Sequence, residues 1–116
     1  MGYEARCHCG VVRFAVEADL PEKVVACNCS HCEAKGLLLT AVPGASVRVT
    51  SGEGQLNTYR FNKQVIAHRF CSECGTQCFS QASDADGSPL AMINMRCVHS
   101  VDLDSIEKMK FDGASC

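Results

Sequence analysis

The chain has 116 residues, ten of them cysteine, and a formal net charge of −2. Eleven basic and thirteen acidic residues give no broad positive field, and the absence of tryptophan with few other aromatic residues leaves little surface for base stacking. We therefore expect no nucleic-acid partner. No apolar run approaches the roughly 20 residues that cross a bilayer, so we expect no membrane span. The length predicts a single domain over residues 1–116.

Short stretches with alternating or β-branched residues, separated by turn residues, predict a mostly β protein. Val12, Phe14 and Val16 would line the buried face of a first strand, and Val47–Thr50 repeats the alternation. The predicted strands of the second half are Leu56–Phe61, Gln64–Phe70, Thr76–Gln81 and Leu90–Met95.

Turn residues join these later strands into two hairpins. Asn62–Lys63 would connect the first pair, and the loop Ser83–Pro89 would connect the second pair. Further along the chain, Asp102 or Asp104 could cap a single helical turn near Ile106.

The high cysteine content indicates either a secreted disulfide scaffold or a metal protein. Residues 1–6 contain no apolar stretch of signal-peptide length, so we expect a cytoplasmic protein. A reducing cytosol keeps thiols free, and metal binding is therefore the predicted use of the cysteines.

Seven of the ten cysteines fall in three clusters, and this grouping is the most informative feature of the sequence. The clusters are Cys7-His8-Cys9-Gly10, Cys27-Asn28-Cys29-Ser30-His31-Cys32 and Cys71-Ser72-Glu73-Cys74-Gly75. Glycine follows the last cysteine of the first and third clusters, where a tight turn needs an unusual backbone angle. The first and third clusters therefore resemble zinc knuckles.

Two knuckles together supply the four thiolates of a closed structural zinc site. We expect its ligands to be Cys7, Cys9, Cys71 and Cys74. Because zinc binding in small domains contributes about 10–16 kcal/mol, removal of this ion should unfold the protein.

The middle cluster leaves three cysteines without an obvious fourth, which matches a catalytic zinc site with one exchangeable position. Its predicted ligands are Cys27, Cys29 and Cys32. The alternative is a second closed site, in which the fourth ligand would be His31, Cys78, Cys97 or Cys116. Cys78 and Cys97 lie in strand-like stretches, where a cysteine usually packs as a small buried apolar residue.

An open site of this kind has a limited chemistry. A divalent zinc ion with three thiolates leaves one net negative charge, so the ion would be a weak Lewis acid. It could still lower the pKa of an incoming thiol and hold it as a thiolate. The predicted substrate is therefore a thiol.

The three clusters in this order and spacing, together with Gly36, Tyr59 and the segment Arg69–Thr76, resemble the glutathione-dependent formaldehyde-activating enzymes, whose domain is shared with centromere protein V. The resemblance covers nearly the whole chain. It implies a β-tent fold, with a structural zinc on the four outer cysteines and a more labile catalytic zinc on Cys27, Cys29 and Cys32.

The resemblance also implies the reaction, in which the thiol of glutathione adds to formaldehyde and gives S-hydroxymethylglutathione, a carbon–sulfur lyase reaction in the reverse sense. His31 is the nearest candidate for a proton donor, although a histidine in an exposed loop more often has no role. The basic residues that could pair with the carboxylates of glutathione are Lys35, Lys63 and Arg69. The alternative function is a zinc-stabilised binding module without turnover.

Overall fold

The computed structural model of the protein describes residues 2–27, 29–60, 66–83 and 86–111. These residues fold into two β-sheets and a short helix, which confirms the predicted mostly β fold. The smaller sheet has the strand order β1 (Tyr3–Arg6), β2 (Arg13–Val16) and β5 (Val47–Ser51). The larger sheet has the order β10 (Glu107–Phe111), β3 (Lys23–Cys27), β4 (Leu39–Pro43), β9 (Pro89–Asn94), β8 (Gln77–Ser83), β7 (Ala67–Cys71) and β6 (Leu56–Tyr59). The helix is α1 (Ser30–Lys35), and short 3₁₀ turns occupy Gly44–Ser46, Glu53–Gln55 and Met95–Cys97.

The smaller sheet is built around β2, which pairs antiparallel with β1 on one side and β5 on the other. Val12, Phe14 and Val16 are all buried, as their alternation predicted, because successive side chains of a strand point to opposite faces. The predicted strand Val47–Thr50 is confirmed as β5.

The larger sheet contains both predicted hairpins, β6–β7 and β8–β9, each antiparallel. The predicted Asn62–Lys63 connection of the first hairpin lies outside the described residues, as do Asp84 and Ala85 in the second. At the opposite edge of the sheet β10 pairs with β3 in parallel, so that Phe111 lies beside Cys27.

The helical turn predicted near Ile106 is not found among the described residues. Asp102 instead forms an Asx turn, in which its Oδ1 accepts a hydrogen bond from the backbone N–H of Asp104 at 3.1 Å. Its carbonyl accepts from the N–H of Ser105 at 3.2 Å, and the chain then enters β10 directly at Glu107. A turn therefore stands in place of the helix, because pairing with β3 extends the next residues.

The core lies where the two sheets face each other. Phe14 of β2 and Phe79 of β8 meet there with ring centroids 5.2 Å apart, and Ile93 of β9 is fully buried beside them. A smaller apolar cluster of Cys32, Leu37 and Leu39 lies under α1. Within the described part of the chain, no helix has the length and apolar character needed to cross a membrane.

Candidate metal centres

The first and third cysteine clusters form the loops of two hairpins, one in each sheet. The turn over 7–12 joins β1 to β2, and the turn over 71–76 joins β7 to β8. In each turn the N–H of the first cysteine donates to the carbonyl of the residue five positions later, at 3.1 and 3.0 Å respectively. Gly10 and Gly75 have φ values of 81° and 80°, which confirms the expected unusual backbone angle at both positions.

These turns bring four sulfur atoms together from distant parts of the chain. The Sγ atoms of Cys7, Cys9, Cys71 and Cys74 all lie within 4.8 Å of one another. Cys9 Sγ is 3.6 Å from Cys7 Sγ and 3.7 Å from Cys71 Sγ. Tetrahedral zinc with Zn–S bonds of about 2.3 Å requires sulfur–sulfur distances of about 3.8 Å. The cluster therefore has the spacing that a four-thiolate metal site needs.

Backbone amides point at the sulfurs of this cluster. The N–H of Val12 donates to Cys7 Sγ and the N–H of Glu73 donates to Cys71 Sγ, each at 3.4 Å. Such hydrogen bonds favour the thiolate form that a metal ligand must have. Cys7 and Cys71 are fully buried, whereas Cys9 is exposed. A metal ion held here would connect the turns of the two sheets.

The middle cluster sits at the junction between β3 and α1. Cys27 ends the strand, Cys29 is the N-cap of the helix, and Cys32 lies in its first turn. Their Sγ atoms also lie within 4.8 Å of one another. Cys29 Sγ accepts a hydrogen bond from the N–H of Cys32 at 3.4 Å, and Cys27 Sγ accepts one from the N–H of Cys29 at 3.5 Å. The cap that begins the helix is thus itself a candidate ligand.

The thiols of Cys29 and Cys32 have opposite pKa shifts. Burial raises the pKa of the Cys32 thiol, and the neighbouring thiols of Cys29 and Cys27 raise it further. Burial also acts to raise the pKa of Cys29, but hydrogen bonds from the backbone and side chain of Cys32 outweigh it and lower that pKa. The thiols therefore compete for protons, and a bound cation would favour the thiolate form of all three.

No fourth ligand joins the middle cluster among the described residues. Cys78 and Cys97 are buried, as predicted for packing residues. Their thiols are hydrogen-bonded to each other, and this contact together with burial raises the pKa of Cys78. Both also contact backbone carbonyls, Cys78 that of Thr76 at 3.8 Å and Cys97 that of Gln77 at 3.6 Å. Cys116 lies outside the described residues. The nine cysteines within the described residues are all free thiols.

His31 is buried, so its expected position in an exposed loop is wrong. It belongs to α1 and is only 8% exposed, because its ring packs against β7 and β6. The ring lies 3.9 Å from that of His68 and stacks on Tyr59 at 5.8 Å. Burial, aided by the charges of His68 and Lys35, lowers the pKa of His31 to about 4. The imidazole is therefore neutral at neutral pH.

Behind α1 lies a buried polar network that the sequence analysis missed. Gln77 Oε1 accepts from the Lys35 amine at 2.8 Å, while Gln77 Nε2 donates to Ser80 Oγ at 3.1 Å. The same hydroxyl is 3.0 Å from His68 Nδ1, and Asn94 Nδ2 donates to the Gln77 carbonyl at 2.8 Å. Polar residues at inward positions of strands were the only signal for this network, and they gave no indication of what each would contact.

A cavity of about 490 Å³ lies along α1, the helix that carries Cys32. Its lining residues are Ser30, His31, Ala34, Lys35, Tyr59 and Phe70. The Lys35 amine lies 5.8 Å from the ring centroids of both Tyr59 and Phe70. The cavity thus combines aromatic walls with a basic side chain, on the same helix as Cys32.

Comparison with known proteins agrees with this arrangement. Over residues 2–110 the chain matches the family described as glutathione-dependent formaldehyde-activating enzyme. Its fold is similar to that of a Rhodobacter sphaeroides protein solved in structural genomics, with a TM-score of 0.80 and 24% sequence identity over 92% of this chain and 97% of that chain. That likeness shows a common fold, whereas the family match extends over nearly all of the sequence. The chain therefore belongs to the glutathione-dependent formaldehyde-activating enzyme family, as its cysteine clusters predicted.

Proposed function

We propose that this protein adds the thiol of glutathione to formaldehyde and forms S-hydroxymethylglutathione, which makes it a carbon–sulfur lyase in the reverse direction. Membership of the family supports a glutathione-related, formaldehyde-activating role. The observation that carries the proposal is the cluster of Cys27, Cys29 and Cys32. It gathers three sulfurs at the start of α1, the helix that also lines a cavity, and leaves two of the thiols partly exposed.

Both thiol clusters suit zinc, because soft sulfur donors at these spacings are its usual protein ligands. In the proposal Cys7, Cys9, Cys71 and Cys74 hold a structural ion, and Cys27, Cys29 and Cys32 hold a catalytic ion. The catalytic ion would supply the positive charge that favours the thiolate form of a bound thiol. The free thiols also favour a reducing compartment, and we assign the protein to the cytoplasm on that ground.

In the reaction, the sulfur of glutathione forms a bond to the carbon of formaldehyde. The π electrons of the carbonyl move to oxygen, which takes up a proton, while the thiol loses its proton to solvent. The chain contributes mainly by holding the two reactants together, since a bimolecular step becomes effectively unimolecular when both are positioned. The rings of Tyr59 and Phe70 would shield one side of the glutathione thiol from water.

The proposal is tested with the substitution Cys29→Ser. Serine is a favoured N-cap and a poor zinc ligand, so this change keeps the cap of α1 while removing one sulfur. We expect two zinc ions per wild-type chain, one per folded variant chain, and loss of S-hydroxymethylglutathione formation in the variant. Cys78→Ser serves as the matched control, because Cys78 is a buried thiol outside both clusters. It should retain both ions.

Two results would contradict the proposal. If Cys29→Ser forms S-hydroxymethylglutathione at the wild-type rate, the middle cluster is not catalytic. If the wild-type protein binds two zinc ions but does not accelerate the reaction above its spontaneous rate, the protein is a zinc-stabilised binding module instead.

A further inference from the structure

The cavity beside α1 is lined by a basic side chain, that of Lys35. Three basic residues were candidates for binding carboxylates, and the structure separates them. Lys35 lines the cavity along α1. Arg69 lines a different cavity and its Nη1 donates to Gln81 at 3.0 Å. Lys63 lies outside the described residues. Of the two described candidates, only Lys35 belongs to the helix that carries Cys32.

The position of Lys35 is fixed by the buried network behind it. Its amine donates to Oε1 of Gln77, which is only 3% exposed and is held in turn by Ser80 and Asn94. An ammonium group has three N–H donors, so this contact leaves two for a ligand. No carboxylate of the described residues forms an ion pair with Lys35. The amine is thus anchored by a neutral group. Burial lowers its pKa, while the nearby Cys32 thiol acts to raise it.

Lys35 also stands at a suitable place relative to the thiols. It follows Cys32 by three positions in α1, and residues at this spacing are neighbours on one face of a helix. The rings of Tyr59 and Phe70 flank the amine on the cavity side. Lys35 is the one lysine or arginine of the cavity lining.

The charge balance of the middle cluster gives Lys35 a clear role. Three thiolates around a divalent ion carry one net negative charge, which would repel a thiol that is itself an anion. A nearby ammonium group offsets this repulsion and pairs with a carboxylate at the same time. A neutral thiol would gain nothing from it.

We propose that Lys35 is a specificity-determining residue that binds a carboxylate of the thiol substrate, so that the enzyme selects anionic thiols such as glutathione over neutral ones. This inference rests on the proposed function for its biological meaning, since it names the substrate group that the same site would recognise. The contact is to the substrate itself, with Gln77 as the residue that positions the amine.

The kinetic test compares glutathione with its diethyl ester, which keeps the thiol but lacks both carboxylates. The wild-type protein should prefer glutathione by about tenfold in kcat/KM, a typical value for one charged contact. Lys35→Met should remove this preference by weakening the reaction of glutathione alone, and Lys35→Arg should retain most of it. Arg48→Met is the matched control, because Arg48 is an exposed cation on the smaller sheet. It should leave the preference unchanged.

A binding measurement keeps this inference separate from the proposed function. S-methylglutathione has no free thiol and cannot react, but it retains both carboxylates. Its binding, followed by calorimetry on the zinc-loaded protein, should weaken about tenfold in Lys35→Met and stay unchanged in Arg48→Met. If the protein binds S-methylglutathione in this Lys35-dependent way but has no turnover, the proposed reaction is wrong and the role of Lys35 stands.

The opposite results overturn the inference. If S-methylglutathione binds the wild-type protein and Lys35→Met equally well, or binds neither, Lys35 does not recognise a carboxylate. Equal losses for glutathione and its diethyl ester in Lys35→Met would show that the lysine only supports the local structure.

Discussion

The sulfur of Cys9 lies 3.7 Å from the sulfur of Cys71, a residue 62 positions away in the sequence. The first belongs to the turn between β1 and β2, and the second ends β7, so the contact connects the smaller sheet to the larger one. Bringing two such distant turns together costs chain entropy. A metal ion on the four sulfurs would compensate for that cost.

Cys9→Ser should destabilise the protein about as much as Cys71→Ser. As packing residues the two differ completely, because Cys9 is exposed and Cys71 is fully buried. As ligands of a metal ion they would be equivalent, since each would supply one of four sulfurs. The measurement is the urea midpoint of the zinc-loaded proteins, with Ser72→Ala as a control at an exposed position of the second knuckle. A stable Cys9→Ser beside an unstable Cys71→Ser would argue against metal binding at this cluster.

Gly75→Ala should lower the free energy of unfolding by about 1–2 kcal/mol, because alanine is strained at a φ of 80°. An added Cβ would meet no atom within 4 Å, so the backbone angle is the whole cause. Gly54 offers a matched control, since its Cβ position is equally open and its φ is not in the left-handed region. Gly54→Ala should be neutral or slightly stabilising in the same denaturation measurement. Equal destabilisation by both substitutions would contradict this explanation.

The cysteine clusters were predictable because each one is local. Cys7 and Cys9, like Cys71 and Cys74, are so close in sequence that any tight turn brings them near each other, and the following glycine marks that turn. The alternation around Phe14 likewise needed only neighbouring residues. Features that depend on spacing within a few residues could therefore be derived from the sequence.

The missed features depend on distant contacts or on very short elements. Helix α1 has six residues, too few for a helical period to be visible, and its N-cap is a cysteine rather than a common capping residue. The parallel pairing of β10 with β3 joins residues more than eighty positions apart, and no local pattern encodes it. The burial of His31 in α1 depends on its contact with His68, which belongs to the distant strand β7.

Ser80→Ala should lower the free energy of unfolding by about 1–3 kcal/mol. The Ser80 hydroxyl is 2% exposed and connects His68 Nδ1 with Gln77 Nε2, so its removal takes a hydrogen-bond partner from two buried groups. Ser83→Ala is the control, because Ser83 is exposed at the end of the same strand and should change stability by less than about 0.5 kcal/mol. If the two substitutions have the same effect in urea denaturation, the buried network contributes nothing measurable to stability.

Chelation should remove metal from the two clusters in two separate stages. The middle cluster offers three protein sulfurs, whereas the site formed by the first and third clusters offers four. The ion on Cys27, Cys29 and Cys32 should therefore be released first. A zinc-sensitive dye would report one equivalent released quickly and a second released slowly, while circular dichroism follows the fold. The first stage should abolish S-hydroxymethylglutathione formation and leave the β-sheet signal intact, whereas the second should unfold the chain. Cys29→Ser should show only the slow stage. Release of both equivalents in one step, together with the fold, would mean that the clusters do not have separate structural and catalytic roles.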